Sequence, residues 1–342
     1  MKYVKVSKSE IDKYVDKYDL LVCRIRTSRK KAKRLAVFEL STVLSQVGGI
    51  FVFNGPLGDV SGLVSFFVPK TLDGELVSIL KTVGYCDKYY KLDFTLEKPG
   101  ATNEIKSVNE YFWKGRRFNV IPFYTECKKQ YQKQSVNNRM FAIYQEDGTV
   151  KHVKGYRGDG SEAGRRGLPL EDAKMMVNLV KPYTIQTLMD PFAGGGGILH
   201  AAKLINPSLY VISADIDRLL EPGLSMYADK HFACDARKVD LGGKKVDAVV
   251  TEIPFSKNYT HVAIEAFYNL LPNISDTGKM LVMCHVGQTE QIKKKMEKSN
   301  LCLIVDKEVN RKGTSVNILL WSKCREFYKK NLKYFQMIKT VI

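Results

Sequence analysis

The stretch Leu188-Met189-Asp190-Pro191-Phe192-Ala193-Gly194-Gly195-Gly196-Gly197-Ile198-Leu199 reads as a short apolar strand, a tight turn and the first residues of a helix. Consecutive glycines strip the Cβ atoms from the turn, so a ligand can approach the backbone closely. The N–H groups of the following helix point into the same space. The spacing is neither GxGxxG nor a phosphate loop with its Lys-Ser/Thr. Asp190, at the strand end, sharpens the reading, because a carboxylate sits poorly beside a pyrophosphate and suits a ligand that carries an ammonium group. The methionine moiety of S-adenosylmethionine is such a group. Asp190, Pro191, Phe192, Ala193, Gly194 and Gly196 are therefore the first candidate cofactor-binding residues.

Outward from this turn, apolar strands alternate with helical stretches. A helix over 170–180 precedes it, and strands are expected at 187–189, 210–214, 246–250 and 279–284. This alternation predicts a mainly parallel sheet with helices on both faces. The segments 301–305 and 316–321 flank Asn310-Arg311-Lys312-Gly313-Thr314 and predict an antiparallel hairpin that closes the sheet. Ligands of such sheets lie at the carboxyl ends of the strands. Asp215 ends the second strand, where it can accept both ribose hydroxyls of an adenosine; Asp217 is a second candidate or a helix cap. Asp235 follows a third strand-like segment, Phe232-Ala233-Cys234-Asp235-Ala236, where it can accept an adenine amino group. Ile216 and Ala236 stand beside these acids and complete the candidate adenosine site.

With these residues in place, 190–199 resembles the first motif of the Rossmann-like amino-methyltransferases, DPFxGxGT. Asp247-Ala248-Val249-Val250-Thr251-Glu252-Ile253-Pro254-Phe255 sits where that family has (D/N)PP(Y/F). Gly164-Arg165-Arg166-Gly167-Leu168-Pro169-Leu170, with Met175-Met176-Val177-Asn178-Leu179, is similar to the segment before the first motif in THUMP-associated tRNA guanosine-N2 methyltransferases. The resemblance covers about 155–322. It implies a Rossmann-like methyltransferase domain over 155–342, with a basic C-terminal helix, after an α+β, THUMP-like RNA-binding region over 1–150. It also implies methyl transfer from S-adenosylmethionine to an exocyclic base amine of RNA, with guanosine N2 in tRNA foremost.

The catalytic candidates are then Glu252, Ile253, Pro254 and Phe255. Glu252 and the Ile253 carbonyl would accept the two amine N–H groups, Pro254 would stiffen the turn, and Phe255 would stack on the flipped base. Two departures stand out: Glu252 is one methylene longer than the usual Asp or Asn, and Ile253 replaces the first proline. A catalytically silent RNA-binding protein and a DNA adenine-N6 methyltransferase are the alternative readings.

The chain as a whole is basic, with 54 Lys plus Arg against 36 Asp plus Glu, a net +18 over 342 residues. That balance points to a polyanion. Seven basic residues and no acid fill 24–34, which makes Arg29, Lys30, Lys31, Lys33 and Arg34 RNA-binding candidates. Arg116, Arg117, Lys128 and Lys129 lie among Trp113, Phe118, Phe123 and Tyr131, a mixture suited to unpaired bases and phosphates, and equally to a strand with its aromatics in the core. In the first region, strands are expected at 20–25, 50–53 and 63–68 and helices at 39–46 and 73–83, an outline of β-α-β units. The C-terminal stretch 322–339 reads as a helix whose aromatic stripe docks on the protein.

The seven cysteines form no CxxC pair, so no zinc site is expected and a reducing compartment fits. No metal is required by the chemistry, and the scattered histidines read as structural. No stretch of about 18 apolar residues and no leader-like N-terminus is present, so a cytoplasmic, membrane-free protein is expected. A small activating protein partner is compatible with this reading.

Overall fold

The structure, a computed structural model, describes residues 1–58, 60–94, 110–126, 140–144, 149–154, 168–255, 257–311 and 313–339. The chain divides into two compact units, Met1–Cys127 with Gln336–Ile342, and Lys128–Phe335.

The first unit carries strands β1 (Lys2–Val4), β2 (Tyr18–Ile25), β3 (Ile50–Val52), β4 (Leu63–Pro69), β5 (Cys86–Asp93), β6 (Glu110–Trp113) and β7 (Arg116–Thr125). Its helices are α1 (Ile11–Val15), α2 (Lys33–Leu44) and α3 (Asp73–Leu80). The sheet order is β1-β3-β4-β2-β5-β7-β6. Only β1 and β3 run parallel; the other neighbours are antiparallel. The β-α-β outline is thus corrected to a largely antiparallel sheet. Its middle strands are apolar in near-continuous runs because helices cover one face and α1 with the sheet's own aromatics fill the other. The basic run at 24–34 ends β2 and folds as a 3₁₀ turn, Thr27–Ala32, that leads straight into α2. Glu39, buried in α2, accepts the N–H groups of Gly84 (2.6 Å) and Tyr85 (3.0 Å), tying the helix to the start of β5.

In the second unit, β8 (Met140–Tyr144) and β9 (Val150–Lys154) pair only with each other. That pairing separates them from the first sheet, and the first unit's N-terminal stretch ends at Cys127, short of the 1–150 that the resemblance implies. The main sheet holds β10 (Thr187–Asp190), β11 (Tyr210–Ala214), β12 (Lys230–Phe232), β13 (Val246–Glu252), β14 (Ile274–His285), β15 (Cys302–Arg311) and β16 (Thr314–Ser322). Its helices are α4 (Leu170–Leu179), α5 (Gly197–Ile205), α6 (Glu221–Leu224), α7 (Lys257–Asn269), α8 (Thr289–Met296) and α9 (Arg325–Lys339), the last of which belongs to this unit as far as Phe335. The order is β12-β11-β10-β13-β14-β16-β15, with β10 to β14 parallel and the β15–β16 hairpin antiparallel. Met280 to Cys284 in β14 are all fully buried, as expected where helices cover both faces of a parallel sheet. The strand order reverses between β10 and β13, and there a doubly wound sheet opens its ligand crevice. Asp190, Asp215 and Glu252 all lie at that carboxyl edge.

Tyr334 and Phe335 of α9 are buried, and the ammonium groups of Lys181 (5.0 Å) and Lys279 (4.8 Å) lie over the Phe327 ring. The aromatic stripe of this helix is therefore packing surface. Among the described residues no helix is long and apolar enough to cross a membrane.

Candidate functional site

The turn after β10 is held by its own acids. Asp190 is buried, and its Oδ1 accepts from the Thr251 hydroxyl (2.7 Å) and the Phe192 N–H (3.2 Å). Burial pushes its carboxyl up to about 7, helped by the charges of Asp215 and Glu252 and opposed by those two hydrogen bonds. Ala193 N–H donates to the Ala214 carbonyl (2.9 Å), and Gly194 N–H donates to Asp215 Oδ2 (2.7 Å). The turn is thereby tied to the end of β11. Gly194 (φ +47°) and Gly196 (φ +71°) adopt the left-handed conformation, and Gly196 caps α5. A Cβ on Gly194 would meet only the Phe192 carbonyl, at 3.9 Å, so this side of the turn is open to a ligand.

Asp215 also accepts from the Asp217 N–H (2.9 Å), which makes Asp217 part of the turn. Ile216 is 71% exposed, an apolar side chain set out at the strand edge where an adenine face can rest. The Asp235 carboxylate is engaged by Arg237, with Nη2 at 2.6 Å and the Arg237 N–H at 2.9 Å, and that bonding holds it below its usual value. It caps the short 3₁₀ turn that begins at Ala236.

At the end of β13 the structure explains one departure from the motif. Ile253 N–H donates to the Met283 carbonyl (3.1 Å) and the Ile253 side chain is buried in the core. A proline there would lose both. Pro254 is exposed, and its carbonyl accepts from Gln288 Nε2 (2.8 Å), which also donates to Thr260 Oγ1 (2.9 Å). The Phe255 ring lies 6.1 Å from that of His285. Phe255, His261, His285, Gln288 and Gln291 line a cleft of about 620 Å³.

Glu252 is held by Arg311, whose Nη1 donates to Glu252 Oε1 and lies 3.1 Å from Met283 Sδ. Arg311 Nε faces the buried Asp172 of α4 at 3.4 Å. Burial raises the Glu252 carboxyl, Arg311 opposes that shift, and Asp172 adds to it. Arg311, Asp172, Thr251 and Gln288 escaped the sequence reading, as did the cleft positions of His261 and His285. Arg311 lies in what reads as an ordinary hairpin end, and Asp172 in what reads as an ordinary first helical turn. Only Thr251, next to Glu252 in the motif, carried a local signal.

The basic candidates separate by environment. Arg29 is 5% exposed, with its guanidinium 5.5 Å over the Tyr85 ring, so it belongs to the packing of the first unit rather than to an open patch. Lys30 and Lys31 are exposed, while Lys33 and Arg34 are half-buried at the start of α2. Arg116 Nε donates to Asp12 (2.6 Å), and Arg117 lies 5.7 Å over the Phe112 ring. Lys128 and Lys129 lie outside the described residues, as does Tyr131. Among the described residues no group of three His, Cys, Asp or Glu is placed to hold a metal ion.

The sheet order and the acid-lined carboxyl edge are those of a Rossmann-like methyltransferase fold. No family model matches the chain. Over 90 residues it is 40% identical to a tRNA (guanine(10)-N2)-dimethyltransferase of Methanothermobacter thermautotrophicus, a match covering 24% of this chain and 26% of that protein. The match thus spans about a quarter of the relative's length. Among solved structures, TrmN from Thermus thermophilus aligns over 90% of this chain and 100% of its own, at 14% identity and a TM-score of 0.49. An rRNA methylase from Streptococcus thermophilus aligns over 42% and 92%, at 12% identity and a TM-score of 0.35.

Proposed function

We propose that this chain transfers a methyl group from S-adenosylmethionine to an exocyclic amine of an RNA base, guanosine N2 in tRNA. The observation that carries the proposal is the joining of the two motifs: β10 and β13 are neighbours, and Thr251, one residue before Glu252, bonds to Asp190. The 90-residue match to a tRNA guanine-N2 dimethyltransferase supports the substrate.

The residues present fit such a cofactor. A buried carboxylate at Asp190, the Asp215 carboxylate and an open glycine turn suit a cationic amino acid joined to an adenosine. The bound sulfonium supplies an electrophilic methyl group. Transfer to an amine is an in-line displacement, so the protein contributes position and charge. Glu252 and the Ile253 carbonyl would accept the amine N–H groups and aim its lone pair. The Glu252 carboxylate also offsets the positive charge that grows on nitrogen. Gln288 fixes the turn through the Pro254 carbonyl, and Phe255 stacks on the base. The exposed cations of the first unit, Lys30 and Lys31 foremost, would hold RNA phosphates in an RNA-binding, THUMP-like region.

Incubation of unmodified tRNA with the protein and methyl-labelled S-adenosylmethionine, followed by nucleoside mass spectrometry, tests the proposal. N2-methylated guanosine is expected. Its absence with cofactor binding intact would favour a second reading, a silent RNA-binding fold, for which Arg311 occupying Glu252 Oε1 is the structural argument.

A further inference from the structure

We infer that Arg311 is a positioning residue for Glu252: its guanidinium pins one carboxylate oxygen and leaves the other, Oε2, to accept the substrate amine in one fixed orientation. This rests on the functional reading above. Glutamate at this position brings an added methylene and an added torsion, and a reacting group must be held to within a fraction of an ångström. Arg311 is itself well anchored. It ends β15 opposite Thr314, its side chain is 15% exposed, and it meets β13 through Glu252, β14 through Met283 and α4 through the fully buried Asp172. Among the described residues, Glu252 Oε1 takes this bond and Oε2 takes none.

The charged groups facing Glu252 are Arg311, Asp172 and Asp190. Two of the three are carboxylates that favour its neutral form. Arg311 is the cation that opposes them and keeps an acceptor-only carboxylate in front of the amine. A guanidinium also suits the task better than an ammonium, since its planar fork meets Glu252 and Asp172 from different nitrogens.

The test follows Glu252 itself. Carboxyl-¹³C NMR of glutamate-labelled protein gives its titration in the wild type, Arg311→Gln and Arg311→Lys. The same proteins are assayed for methyl transfer to tRNA across pH, with thermal melts to show that each is folded. In Arg311→Gln the Glu252 titration should move up by about one pH unit or more. kcat should fall about tenfold to hundredfold with the cofactor KM little changed, and the acid limb of the rate profile should move up with the titration. Arg311→Lys should recover part of each effect; if the glutamine variant does not fold, the lysine variant carries the comparison, with the same direction and a smaller size. A Glu252 titration that stays in place, or one that moves with the rate unaltered, overturns the inference. A wild type inactive on every RNA tested, while Glu252 still shifts on substitution, defeats the functional reading and the positioning role together. The ion pair would survive that result, so the two failures are told apart.

Discussion

Asp190→Asn separates charge from shape at the glycine turn. The wild-type carboxyl is buried and titrates at about 7. A cationic ligand takes the ionised form, so each pH unit below 7 adds a proton release of about 1.4 kcal/mol, tenfold in affinity. Affinity for S-adenosylmethionine should rise about fivefold from pH 6 to pH 7, more steeply below that, and then level, until the ligand's own α-amino group loses its proton near pH 8. Asparagine keeps an oxygen for the Thr251 and Phe192 hydrogen bonds and removes only the charge. The variant should therefore bind at least about tenfold more weakly at pH 7.5, with no acid limb.

The same substitution acts in the opposite direction on the fold. An acid raised from 3.8 to about 7 on folding contributes stability that is fully present below the lower value and lost as pH rises through the upper one. About three pH units correspond to a penalty of up to about 4 kcal/mol at pH 8, which asparagine does not carry. The variant should melt above the wild type at pH 8, and the gap should close toward pH 4. Titration calorimetry with S-adenosylmethionine and scanning calorimetry, each between pH 5 and 8.5, measure the two effects. Wild-type affinity that is flat between pH 6 and 7, or an unchanged slope in the variant, refutes the assignment of this charge to Asp190.

Gly196→Ala should destabilise the second unit by about 1–2 kcal/mol in urea unfolding, since φ is +71° and the new Cβ would stand 3.2 Å from Leu224 Cδ2. Ile253→Pro, which restores the commoner motif residue, should cost about 3 kcal/mol or more, because it removes the N–H bond to Met283 and a buried side chain; stability equal to wild type in the same assay would contradict the core role. Glu252→Asp should lower kcat for methyl transfer about tenfold or more, as the shorter side chain withdraws from Arg311. A gain in kcat would instead show that the native site is attenuated.

The second unit was legible because its signals are local. Strand 210–214 matches β11, and the helix read over 170–180 matches α4 to within a residue, since parallel strands are unbroken apolar runs and the helices between them are periodic. Asp190, Asp215 and Glu252 reached the carboxyl edge because each directly follows or ends such a run. The first unit was less legible. Its apolar runs look alike whether strands pair parallel or antiparallel, so sequence suggested β-α-β units where β2, β4, β5 and β7 are antiparallel neighbours. Arg29 shows the limit from another side: the run at 24–34 counts it as one more surface cation, and only the third dimension puts Tyr85 beneath it. Arg311 and Asp172 lie 139 positions apart, and neither has a neighbour in sequence that announces the other.

A net charge of +18 hides a local inversion of sign. At the carboxyl edge, Arg237 is matched one to one with Asp235, whereas Arg311 faces both Glu252 and Asp172 with a single charge. Asp190 itself faces the charges of Asp215 and Glu252, and its own carboxyl is close to half-ionised near neutral pH. Under the proposed function, arrival of a sulfonium draws the Asp190 proton off and the site becomes more negative as its ligand brings positive charge. Methyl transfer removes the sulfonium charge and leaves the α-ammonium group, so part of the reason for Asp190 to stay ionised goes with it. The preference for substrate over demethylated product should therefore narrow below pH 7, where ionisation is the costly step, and widen above it to a plateau. Asp190→Asn, unable to ionise, should show the same preference at every pH.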